Sequence, residues 1–111
     1  MDEAVDRLLE LFASKVAGHH PVLEADPRRG RVVLQDGARV HRLEFDRQVL
    51  AEELAGHDDD AAQEFWGPGV DQVESLARFL TIHLDESLAT REPHPSGRWM
   101  HRSGGFDPVA P

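Results

Sequence analysis

Apolar residues recur along this chain at two different periods, and the changes of period mark its elements. Between Asp2 and about Ala17, the residues Val5, Leu8, Leu9, Phe12 and Val16 fall at helical spacings on one stripe. Asp2, Glu3 and Asp6 crowd the first turns, where the helix dipole favours negative charge, and Gly18 is a natural stop. From Pro21 to Phe45 the period falls to that of extended chain. PVLEA, GRVVLQ and ARVHRLEF read as three antiparallel strands, joined by a turn over Asp26 to Arg29 and a two-residue turn at Asp36-Gly37.

These turns predict a register. The second sets Gln35 opposite Ala38, and so Val33 opposite Val40, Val32 opposite His41 and Arg31 opposite Arg42. The first sets Glu24 opposite Arg31, Leu23 opposite Val32 and Val22 opposite Val33. Both turns assign the same two faces. One, with Leu23, Val32, Leu34, His41, Leu43 and Phe45, is expected to meet the core; the other carries a valine row, Val22, Val33 and Val40, beside a charged row, Glu24, Arg31 and Arg42.

The helical period then returns. Asp46 is placed to cap a helix from Arg47 to Ala55, with Leu50 and Leu54 buried and Gly56 as its stop. After His57 and three aspartates, AAQEFW forms a shorter helical turn whose Phe65 and Trp66 are expected to staple the connection to the core. The longest helix runs from about Asp71 to Ala89, with Val73, Leu76, Ala77, Leu80, Leu84 and Leu88 in one stripe that Phe79 and Ile82 widen. From Arg91 to Pro111, proline and glycine recur without a period, which predicts an irregular tail carrying the anchors Trp99, Met100, Phe106 and Val109. The expected fold is α+β: an N-terminal helix, a three-stranded antiparallel meander, two to three C-terminal helices packed on one sheet face, and an irregular C-terminal tail. Residues 1–90 would form a single domain and 91–111 the tail.

Composition narrows the partners. A chain of 111 residues holds one modest core, and 40% hydrophobic with 30% charged residues sets it apart from a disordered chain. The net charge of −9, with Lys15 the only lysine, opposes phosphate backbones and anionic lipid, so neither nucleic acid nor a membrane is an expected partner. There is no cysteine, hence no thiolate nucleophile and no disulfide. The acidic N-terminus lacks the basic region of a secretory signal, and no apolar run approaches the ~20 residues that span a bilayer. A cytoplasmic location is expected, and the arginine, alanine and aspartate bias suits a bacterial genome rich in G and C.

Catalytic chemistry finds little purchase. The seven histidines show no metal-ligand spacing, the aspartates after His57 lack the alternation of a calcium loop, and no serine sits in a nucleophile elbow. Gly67-Pro68-Gly69 lacks the lysine of a phosphate loop. No metal or cofactor is expected. The leading expectation is a non-enzymatic protein-binding domain, adapter-, chaperone- or immunity-like, whose partner is another protein or a second copy in a homodimer. Its surface would comprise Val22, Glu24, Arg31, Val33, Val40 and Arg42, with the tail's Trp99 and Met100. The alternative is a small-ligand or metal-dependent enzyme with a pocket between the long helix and the sheet, using His41 and His83 together.

Overall fold

Five strands, rather than three, make up the sheet. The computed structural model describes residues 2–103 and 105–111. In chain order these are α1 (Asp2–Val16), β1 (Val22–Asp26), a 3-10 turn (Pro27–Arg29), β2 (Arg31–Asp36), β3 (Arg39–Glu44), α2 (Arg47–Ala55), α3 (Asp59–Trp66), α4 (Gln72–Thr90), β4 (Arg98–Arg102) and β5 (Gly105–Val109). The sheet is mixed, in the order β1-β2-β3-β4-β5. β3 and β4 are parallel and all other neighbours antiparallel.

The helices form as their caps dictate. Asp46 accepts from the backbone N–H groups of Gln48 and Val49, Asp58 from Ala61, and Asp71 from Glu74, each satisfying donors that a helix start leaves free. Val5, Leu8, Leu9, Phe12 and Val16 of α1 and Leu76, Leu80 and Leu84 of α4 bury against Val32, Leu34, Leu43 and Phe45 of the sheet in one cluster. Phe79 and Ile82 depart from the expected buried stripe: Phe79 is half-buried and Ile82 is 49% exposed. Phe65 does not staple its connection either, being 68% exposed, whereas Trp66 does, donating from Nε1 to Ser75 Oγ at 3.0 Å.

The expected irregular tail is corrected most. Residues 98–102 and 105–109 supply β4 and β5, and Trp99 and Phe106 are fully enclosed in the core. The segment does not have to stabilise itself, because the β3 edge offers backbone partners and the helical layer leaves a hollow that two aromatic rings fill. Gly97 makes the junction. At φ +73 its carbonyl accepts from Arg42 N–H at 2.7 Å, and a Cβ there would lie 2.5 Å from Val40 O, so only glycine lets the chain come alongside β3. Ser87 on α4 anchors the far edge, its Oγ accepting from Phe106 N–H at 3.1 Å.

The meander keeps its expected faces but not its register. Asp36 pairs with Arg39, so the turn is Gly37-Ala38 with glycine first, and Val33 lies opposite Arg42, not Val40. A slip of two residues preserves which side each residue faces. In β1 the outcome differs, because a bulge between Val22 and Glu24 sets Val22 opposite Leu34 and Glu24 opposite Val33. Val22 therefore packs against the core and Leu23, expected inside, is 53% exposed.

Candidate functional site

α1, α2 and α4 all bury side chains in the core on the inner side of the sheet, and α3 packs against α4. Among the described residues no helix covers the outer side. Two rows of residues cross all five strands there. One runs Glu24, Val33, Arg42, Arg98, Val109; the other runs Asp26, Arg31, Glu44, Met100, Asp107. Val40 extends the surface toward the β2–β3 turn, and Arg102 toward the β4–β5 turn.

The face is ordered by charge pairs. Arg98 grips Glu44 with both Nε (2.5 Å) and Nη2 (3.2 Å), a fork that ties β4 to β3 and holds the guanidinium pKa above its usual value through that hydrogen bond and charge. Asp107 meets Arg91 at 2.5 Å and Arg102 at 3.6 Å. Arg31, Arg42, Arg98 and Arg102 balance Glu24, Asp26, Glu44 and Asp107, so the net charge of −9 resides elsewhere on the molecule. Between the charges lie apolar groups: Val40 is 46% exposed, Met100 and Val109 are half-buried, and Val33 is only 8% exposed beneath its long-chained neighbours.

Of the residues expected to form a binding surface, the structure brings together Glu24, Arg31, Val33, Val40, Arg42 and Met100. It places Val22 and Trp99 elsewhere. The β1 bulge turns Val22 inward, and Trp99, one residue out of phase with Met100, points into the core. Residues 98–102 and 105–109 of the expected tail are themselves strands of the sheet.

The two histidines of the alternative reading are not brought to a common pocket. His41 is buried and accepts from Trp99 Nε1 at 2.9 Å on its Nδ1, which fixes that nitrogen as unprotonated. Burial holds its pKa below the ordinary value, with Asp36 opposing and Arg39 and His20 adding to the shift. It borders a hollow of about 450 Å³ with Arg39, Val40, Glu92, His94 and Gly97. His83 borders a different one, about 540 Å³, with Glu53, His57, Phe79 and Leu80. Among the described residues no group of three or more histidine or acidic side chains is arranged to hold a metal ion.

A third polar site went unseen in the sequence. His101 of β4 lies in a cage of Phe45 and Phe106, with ring centroids at 5.3 and 5.6 Å, and its Nε2 is 3.6 Å from Glu53 Oε1 on α2. His101 Nδ1 and Glu53 Oε1 are buried without a hydrogen-bond partner. Burial, helped by His83 and Arg102, lowers the His101 pKa to about 4, while burial raises that of Glu53. Both groups are thus driven toward their neutral forms. The alternation Arg98-Trp99-Met100-His101-Arg102 was the available signal.

Among the described residues no helix is long and apolar enough to cross a membrane. Set against known protein families, curated proteins and solved structures, the chain matches none.

Proposed function

We propose that this is a small non-enzymatic protein-binding domain that works through the outer face of its sheet, engaging another protein or a second copy of itself. The observation that carries the reading is the bare, charge-balanced face, in which Val33, Val40, Met100 and Val109 lie among arginines. Methionine and arginine are enriched at protein interfaces, and an apolar strip with a charged rim is their usual anatomy. A neutral face on a molecule of net charge −9 is also the surface that another acidic protein could approach with least repulsion. The sheet edges suit pairing less: β1 is bulged, and β5 carries Pro108, which has no N–H to offer.

The test compares wild type with Val40→Asp and Met100→Asp, both on the outer face, in sedimentation and in affinity capture from the source cell. A stoichiometric partner, or a second copy, held by wild type and released by both variants is the expected result. Association that both variants leave unchanged removes the reading, as does a monomeric wild type that captures nothing.

A further inference from the structure

The hollow of about 450 Å³ beside His41 lies at the end of the sheet where β3 begins. Arg39 and His41 line it from the strand, and Glu92, Pro93, His94 and Pro95 from the connection between α4 and β4. Both imidazoles are held in one tautomer. His41 Nδ1 accepts the indole N–H of Trp99 at 2.9 Å and His94 Nδ1 accepts the backbone N–H of Ser96 at 3.0 Å, so each neutral ring carries its proton on Nε2. Neither Nε2 has a hydrogen-bond partner within the described chain. His41 is only 3% exposed, yet its Nε2 is not sealed in the core as His101 Nδ1 is; it opens on the hollow that the ring lines. An N–H so placed gains from an acceptor that the chain does not supply.

Two opposite charges border the same hollow. Arg39 and Glu92 are exposed, and among the described residues neither has an ion pair, unlike Arg98 and Glu44, which satisfy each other. Asp36, whose charge also reaches His41, lies 3.9 Å from His20 and does not line the hollow. A simple anion suits this site poorly, because Glu92 and the net charge of −9 both oppose it. A zwitterion meets no such opposition. Its carboxylate finds a guanidinium and imidazole N–H donors, and its ammonium finds a carboxylate. Val40, Pro93 and Pro95 supply apolar wall, and the volume falls within the range of roughly 300–1,000 Å³ usual for small-molecule pockets.

We infer that this hollow binds a free α-amino acid with an apolar side chain, its carboxylate held by Arg39 and the Nε2–H groups of His41 and His94, its ammonium by Glu92. Of the lining residues only Val40 belongs to the outer sheet face, so this site and the proposed protein-binding surface stand or fall independently.

The probe is L-leucine, titrated to millimolar concentration into the isotope-labelled protein, with N-acetyl-leucine, which lacks the ammonium, and leucinamide, which lacks the carboxylate, as controls. Leucine is expected to shift the Nε2 resonances of His41 and His94, and each blocked form to bind about tenfold more weakly. Arg39→Gln and Glu92→Gln should each weaken leucine by about the same factor, and Glu92→Gln should no longer distinguish leucine from N-acetyl-leucine. Arg28→Gln, an exposed change of equal charge in the 3-10 turn, leaves binding unchanged. The inference is overturned if leucine does not bind, if either blocked form binds as tightly, or if Arg39→Gln has no effect. It is equally overturned if Arg28→Gln weakens binding as much as Arg39→Gln, since net charge alone would then explain the affinity. Arg39 and Glu92 are exposed, so their replacement tests the site without testing the fold.

Discussion

Strands β3 and β4 present two faces made from alternate residues of the same short segments, and the two obey different rules. On the inner face Trp99, Leu43, His41 and His101 are enclosed, and polar atoms there either find a fixed partner, as His41 does in Trp99, or go without, as His101 Nδ1 does. On the outer face Arg42, Val40, Arg98 and Met100 remain in contact with water, and their ion pairs are screened. The inner face therefore sets stability and its pH dependence. The outer face is free of that constraint.

Replacing Trp99 by alanine should have the largest effect, since it opens a cavity in the closed core and strips His41 of its donor. A loss of about 3–5 kcal/mol in denaturant unfolding is expected, and a loss below about 1 kcal/mol would erase the distinction between the faces. The next effect is acid sensitivity. His101 is held neutral in the fold, with its pKa lowered from 6.5 to about 4. Its contribution is intact above 6.5 and is lost as pH falls from there toward 4, by about 3 kcal/mol at most. The lowered pKa of His41 acts in the same direction, and the raised pKa of Glu53 opposes both once pH drops below the raised value. Urea midpoints of His101→Phe measured at pH 7 and near pH 4.5 should fall closer together than those of wild type; an unchanged interval would mean that His101 is hydrated.

Two substitutions on the outer face complete the series. Val33→Asp puts a carboxylate where only 8% of the residue is exposed, and should cost about 1–3 kcal/mol. Val40→Asp, at 46% exposure, should change stability by no more than about 0.5 kcal/mol while abolishing association. If Val40→Asp unfolds the protein instead, the outer face is structural. Comparing its thermal midpoint with that of Val33→Asp distinguishes these outcomes.

How much of this was legible depends on which forces act locally. The helices could be read because their stripes, and for α2, α3 and α4 their aspartate caps, lie within a few residues of one another. The faces of β2 and β3 could be read despite the wrong register, since parity survives a slip of two. The bulge at Leu23 could not, because no glycine or proline stands within Val22–Asp26 to mark it. β4 and β5 were hidden by the prolines and glycines around them, and because the partner of β4 lies in β3, across three intervening helices. With β4 unplaced, the meeting of His101 with Glu53 had no basis in the sequence, and Trp99 could be mistaken for a surface anchor.

The Gly97 junction has a kinetic consequence. Pairing Arg42 with Arg98 closes a loop of about half the chain, an entropic cost that is recovered only when the inner-face aromatic rings are seated. The meander and α1 can condense from nearby residues, so the β3–β4 seam is expected to be the last to zip and the first to open. The two tryptophans stand on opposite sides of that event, Trp66 on the helices and Trp99 in the seam. In refolding, fluorescence from a Trp66→Phe variant should therefore lag behind the recovery of helical circular dichroism, a delay set by topology rather than by the strength of any single contact.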